Sequence, residues 1–155
     1  MRWLTRWGPA LVWAVLISVL STGLFTAENT SRVIIPILHR LFPQAPLATL
    51  VEIHHFVRKS AHFIEYFILS LLILRGIRGE RRETHLRWAL LATLIVAAYA
   101  SLDELHQAFV PGRTAAVTDV LLDTTGGIAA QIVAALVALW VHVRDRRRES
   151  AVTSA

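Results

Sequence analysis

Residues 58–74, RKSAHFIEYFILSLLIL, decide the fold class because ionisable side chains run directly into an apolar stretch. His62 and Glu65 stand at the start of this stretch, and residues 67–74 continue it without a charge. An ionisable group at the centre of a membrane-spanning helix costs about 3 kcal/mol and persists mainly where it pairs with another group or serves a site. We therefore expect a membrane helix whose polar end carries a site.

The composition of the whole chain is that of a membrane protein. Of 155 residues, 55% are hydrophobic and 17% are charged, and the mean hydropathy is +0.53; soluble domains carry about 25% charged residues. The length leaves room for one domain, residues 1–155, with four spans of about 20 residues each. We predict an all-α integral membrane four-helix bundle with spans at about residues 8–26, 60–77, 88–105 and 117–143.

Two regions depart from a simple apolar helix. The second span is interrupted near its start, and the apolar residues upstream predict one long or tilted helix that begins within residues 47–57. Residues 28–46 are of mixed polarity and contain Pro36, Pro43 and Pro46, which predicts an irregular or surface-lying segment.

The distribution of basic residues predicts the orientation. If the spans alternate in direction, eleven of the sixteen Lys and Arg residues lie on the side of the two termini. The positive-inside rule then places both termini in the cytoplasm of a multi-pass cell-membrane protein. A cleaved signal peptide is the alternative interpretation of the first span, and Phe25, where a small residue is expected, argues against cleavage.

Composition also restricts the chemistry. Without cysteine there is no disulfide framework, thiolate nucleophile or Cys-based metal site. The net charge of +5 follows from arginines beside the apolar spans, so we expect no nucleic-acid partner. The sequence identifies no cofactor, metal or oligomeric state.

A second polar string, residues 103–113 with the sequence DELHQAFVPGR, follows the third span. Pro111 and Gly112 predict a tight turn that returns the chain to the fourth span. Asp119 and Asp123 lie one helical turn apart at the start of that span. We expect the polar groups of spans two, three and four to meet on the outer face of the membrane.

Three hypotheses account for this cluster. It is a network of ion pairs and hydrogen bonds that fixes helix packing, or it binds an anionic head group or polar ligand through Arg58, Lys59 and Arg113. Alternatively it is catalytic, with acid or base candidates Glu65, His62, Asp103 and Glu104 and a possible divalent metal. The candidate ligand-binding residues are Arg58, Lys59, His62, Glu65, Tyr66, Asp103, Glu104, His106, Gln107, Arg113, Asp119 and Asp123.

The fourth span carries a structural pattern as well. Small residues recur every four positions, at Gly126, Ala130, Ala134 and Ala138, which predicts close helix packing within the bundle; a dimer contact is the alternative. Gln131 in mid-span is expected to hydrogen-bond across helices.

These strings together resemble the VanZ-like family of small membrane proteins. The matching patterns are R-K-x-x-H-x-x-E-Y at residues 58–66, D-E-x-H-Q-x-F-x-P-G-R at residues 103–113, and D-V-L-L-D-T-x-G at residues 119–126. Some members have Asn at the position of Asp123, so this chain adds a possible charge there.

The resemblance implies an integral membrane protein, and the founding member is associated with teicoplanin resistance. We accordingly expect a site that binds a membrane lipid, a lipid-linked envelope component or another amphiphilic ligand, with a role in glycopeptide resistance or envelope homeostasis. The alternative is a membrane enzyme acting on a lipid-linked or cell-wall precursor, with Glu65 and Asp103 as acid and base.

Overall fold

The computed structural model describes residues 2–81, 85–110 and 115–153, and these residues form helices and no strand. The helices are α1 (Arg2–Leu20), α2 (Ala27–Leu41), α3 (Leu47–Arg78), α4 (Leu86–Gln107) and α5 (Val117–Thr153), with a short 3₁₀ helix at Gly23–Phe25. Four of them, α1, α3, α4 and α5, are long and apolar enough to cross a membrane. The all-α class and the four long apolar helices are therefore confirmed, whereas the bounds of the spans and the side on which the termini lie stay predictions.

The segment before α3 is the main correction to the sequence analysis. The prediction of an irregular segment was wrong, because residues Ala27–Leu41 form a helix that includes Pro36. Proline inside a helix removes one amide donor and crowds the carbonyl four residues earlier, and α2 nevertheless continues through Pro36. The side chain of Thr26 caps the start of α2 by accepting a hydrogen bond from the Asn29 amide at 3.2 Å. All of α2 is described and none of its residues is buried, so the helix lies on the surface of the protein.

Helix α3 is the central element of the fold. Its 32 residues begin at Leu47, upstream of the interrupted span as predicted. At 1.5 Å per residue the helix is about 48 Å long, which exceeds the hydrocarbon thickness of about 30 Å. It packs against each of the other four helices, and its buried residues Tyr66, Leu69 and Ile73 form the middle of the core.

Polar groups of opposite character gather at the two ends of the bundle. At the basic end, Arg6 pairs with Glu80 at 3.7 Å. The guanidinium group of Arg144 lies 4.8 Å from the ring centre of Trp140, and that of Arg81 lies 5.7 Å from the ring centre of Trp88. The opposite, acidic end carries the predicted carboxylates, so α3 runs from the acidic end to the basic end.

The small-residue stripe of α5 packs within the chain, as predicted. Gly126 lies so close to α3 that an added Cβ would be 2.5 Å from the Phe63 carbonyl oxygen, and Ala130 is completely buried. The expected hydrogen bond of Gln131 is also present, since its Nε2 donates to the Ser70 hydroxyl at 2.7 Å. Helices α3 and α5 therefore form a close-packed pair below the acidic end.

Candidate functional site

The acidic end brings together carboxylates from α3, α4 and α5. Four of them lie close enough to the fifth, Asp123, for their negative charges to disfavour a negative charge on it. The four are Glu65, Asp103, Glu104 and Asp119. Helical spacing explains part of this arrangement, because residues three or four positions apart share a helix face, and packing of the three helices supplies the rest.

Asp123 is the most deeply buried of these carboxylates. It is 1% exposed, and neither of its oxygens accepts a hydrogen bond from the described part of the chain. A basic group, His62, lies beside it, with Nδ1 3.9 Å from Asp123 Oδ1. The same nitrogen lies 4.0 Å from Glu65 Oε2. These distances are too long for hydrogen bonds, so His62 stands between two carboxylates as an electrostatic neighbour of both.

Asp103 has a different environment, in which its hydrogen-bonding capacity is used. Its Oδ2 accepts hydrogen bonds from the Ser21 hydroxyl at 2.7 Å and from Gln107 Nε2 at 2.9 Å. All three side chains are buried. The carboxylate of Asp103 therefore joins α1 to α4 and positions both helices at the acidic end.

Glu104 has a similar role between α4 and α5. Its Oε2 accepts a hydrogen bond from the backbone amide of Ala116 at 3.0 Å, directly before α5 begins at Val117. Glu104 is buried as well. This bond fixes the entry of α5 into the acidic end, next to the helix turn that carries Asp119.

Tyr66 links this cluster to the core. Its side chain is completely buried, it lies one turn after His62 on α3, and the charges of Asp103 and Asp123 act on its hydroxyl group. Its ring centre is 6.2 Å from that of Tyr99. Tyr66 therefore forms the floor of the acidic end, where polar groups give way to apolar packing.

The basic side chains of α3 contact other parts of the protein. Arg58 Nη1 donates to the Phe25 carbonyl at 2.9 Å and to the Thr30 hydroxyl at 3.0 Å, which ties α3 to the start of α2. Lys59 Nζ pairs with Asp119 Oδ1 at 3.3 Å, and its side chain remains 57% exposed. Of the two, Lys59 is the side chain with room to reach a ligand.

Most of the chain, residues 7–139, matches the model of a protein family described as VanZ/LLP1. The chain belongs to the VanZ/LLP1 family. No curated protein and no solved structure matches it. The matched region begins within α1 and ends within α5, so the VanZ/LLP1 assignment confirms the resemblance predicted from the polar strings and extends it to the first span.

An apolar groove lies beside the acidic end of this VanZ/LLP1 protein, at the contact between α3 and α5. Its volume is about 510 Å³. Lys59 is the charged residue of its lining, and the others are Phe56, Ser60, Phe63, Ile64 and Leu122. Because Phe63 follows His62 and Leu122 precedes Asp123, the groove and the carboxylate cluster share the same two helix turns.

Two of the predicted ligand-binding residues are not placed in the cluster. His106 is exposed and lines a separate groove between α1 and α4 with Ser18 and Tyr99. Arg113 lies outside the described residues, so its predicted role stays a prediction. Within the described ranges, no group of three His, Asp or Glu side chains could hold a metal ion.

Several polar residues of the acidic end carry no signal that the sequence analysis used. Ser21 directly follows an apolar helix, and its bond to Asp103 depends on how α1 packs. His54 is buried, and its Nε2 lies 3.1 Å from the Thr30 hydroxyl of α2. The adjacent His55 is exposed. Only the position of α2 distinguishes these two histidines.

Proposed function

We propose that this VanZ/LLP1 membrane protein binds an amphiphilic component of the cell envelope at the acidic end, with Asp123 accepting hydrogen bonds from its polar part. The observation that carries the proposal is the buried Asp123 carboxylate, which no described residue supplies with a donor. Leaving a buried acceptor unsatisfied costs about 1–3 kcal/mol, and more for a charged group. A hydroxyl or amino group of a ligand would recover that free energy.

The charge of the acidic end supports a particular kind of head group. Carboxylates surround Asp123, and Arg58 is engaged by the start of α2. An anionic phosphate would be repelled by these carboxylates at short range. The geometry therefore supports a ligand rich in hydrogen-bond donors more strongly than the anionic head group considered from the sequence.

Replacement of Asp123 by leucine is the direct test. We expect the wild-type protein to bind glucosyl diacylglycerol, whose head group carries hydroxyl donors, more tightly than diacylglycerol without a head group. Asp123→Leu should weaken binding of the glucosyl lipid up to about tenfold, because a hydrogen bond contributes about 0.5–1.5 kcal/mol. Native mass spectrometry of purified protein titrated with each lipid measures both affinities.

Asp145→Leu is the matched control, since Asp145 is exposed on α5 beyond the basic end and its replacement should leave binding unchanged. Equal affinity of the wild-type protein for the two lipids contradicts the proposal, as does undiminished binding by Asp123→Leu.

In cells, the same variant tests a role in glycopeptide resistance or envelope homeostasis. A bacterium producing the wild-type protein should tolerate more teicoplanin than one producing Asp123→Leu.

A membrane enzyme is the second candidate, and the position of His62 favours it. A histidine between two carboxylates, as His62 is between Glu65 and Asp123, is a suitable acid or base. Asp103 is less suited, because it already accepts hydrogen bonds from Ser21 and Gln107. Recovery of a chemically altered head group after incubation with wild-type protein, but not with His62→Gln, would favour the enzyme over a binding protein.

The proposal places the acidic end at the outer face of the cell membrane and both termini in the cytoplasm. It is supported by the gathering of arginines at the opposite end, since basic loops remain in the cytoplasm. A reporter enzyme that is active only in the cytoplasm, fused after residue 155, should be active. The same reporter inserted in the 42–46 segment should be inactive, and the reverse pattern would contradict this orientation.

A further inference from the structure

We infer that the groove between α3 and α5 holds the apolar chain of the ligand, so that the ligand is a lipid that enters sideways from the membrane. This inference rests on the proposed function and names the class of ligand. Its starting point is that an apolar groove lies directly beside the buried carboxylate cluster, on two helices that can cross a membrane.

The lining of the groove suits a hydrocarbon chain. Its volume of about 510 Å³ falls within the range of about 300–1,000 Å³ that is typical of ligand pockets. Phe56 and Ile64 are exposed on the protein surface, and Phe63 and Leu122 form the inner wall. Since α3 and α5 are long and apolar enough to cross a membrane, we place these exposed apolar side chains against lipid, from which a chain can enter without passing through water.

A charged side chain lies midway along the groove, between Phe56 and Phe63 on α3, and gives a polar head group a place to bind. Lys59 belongs to the lining, and its ammonium group pairs with Asp119 across the two helices. These opposite charges offer both a donor and an acceptor to a head group. The polar part of a lipid lying in the groove would therefore bind at Lys59 and Asp119, about one helical turn from His62 and Asp123.

The end of the groove that faces the basic end of the bundle is closed by helix packing. One turn after Leu122, α5 approaches α3 so closely that Gly126 has no room for a Cβ beside the Phe63 carbonyl. The groove thus ends within the bundle, and it offers a chain a pocket of limited depth instead of a path along the whole helix pair. A bound lipid would be held by its chain on one side and by the carboxylate cluster on the other.

Filling the groove is the test. Leu122→Trp places a large side chain in the inner wall and should weaken binding of glucosyl diacylglycerol about tenfold. Leu121→Trp is the matched control, because Leu121 is the exposed preceding residue outside the lining and should bind like wild type. Ile64→Trp fills the groove from α3 and provides a second variant if Leu122→Trp does not fold.

The outcomes separate this inference from the proposed function. Loss of binding in both groove variants, with Leu121→Trp unchanged, supports a chain in the groove. If a folded groove variant binds the lipid with wild-type affinity while Asp123→Leu loses binding, the groove does not hold the chain, and the proposed polar site still stands. Wild-type affinity in Asp123→Leu overturns the proposed function itself. Binding of methyl glucoside, which has the head group and no long chain, should be equal in wild type and Leu122→Trp.

Discussion

Replacing Asp123 by asparagine is expected to raise the unfolding temperature of the unliganded protein. The carboxylate is buried without a hydrogen-bond donor from the described residues, and the surrounding carboxylates repel it. Asparagine has nearly the same shape and no charge, so it removes the repulsion and much of the desolvation cost. We expect a gain of about 1–3 kcal/mol, measured by thermal unfolding of the purified protein in detergent.

Asp103→Asn is the matched control and should have the opposite effect. This carboxylate is also buried, but it accepts hydrogen bonds from Ser21 and Gln107, and the neutral amide would accept them more weakly. The two substitutions are chemically identical and lie on neighbouring helices. A decrease of similar size in both variants would mean that Asp123 holds the fold together, and the main support for the proposed ligand would be lost.

The contrast between these two aspartates has a functional meaning. A buried polar group without a partner is rare in proteins, and a protein can retain such a destabilising group where activity needs it. Asp103 and Glu104 accept hydrogen bonds that join neighbouring helices. The oxygens of Asp123 accept no hydrogen bond from the described residues, so a ligand that reaches this carboxyl group would meet an unsatisfied acceptor.

The sequence predicted the spanning helices well because the membrane imposes a simple rule. Backbone groups in hydrocarbon must be satisfied within a helix, and about 20 apolar residues are needed to cross it. This rule does not predict helix α2. It contains Pro36, and the bonds of its Thr30 to Arg58 and His54 come from another helix, so local pattern alone could not predict it.

For the site, spacing predicted which residues share a helix face but not which partners they find. The three-residue spacing of His62 and Glu65 correctly placed both on one side of α3. The pairing of Lys59 with Asp119 depends on the relative depth of α3 and α5. The rotation of α4 likewise turns His106 toward α1, and its role in ligand binding stays a prediction.

Substitution of Gly126 by alanine is expected to destabilise the protein by about 1–3 kcal/mol through overpacking. The new methyl group would lie 2.5 Å from the carbonyl oxygen of Phe63. This oxygen belongs to the backbone of α3, so it can move away only if the two helices separate. Alanine favours helix over glycine by about 1 kcal/mol, and this gain is too small to offset the clash. Thermal unfolding in detergent measures the loss.

Two neighbouring substitutions make the experiment specific to the helix contact. At Gly127 the added methyl group would meet the Val96 side chain at 2.8 Å; a side chain can shift more easily than backbone, so Gly127→Ala should cost less. Thr125 is exposed and bonds only within its own helix among the described residues, so Thr125→Ala should stay within about 0.5 kcal/mol of wild type. The loss of stability should therefore be largest for Gly126→Ala, smaller for Gly127→Ala and smallest for Thr125→Ala, in the order of their contact with α3 and α4. Equal losses in all three variants would contradict the close packing that closes the groove.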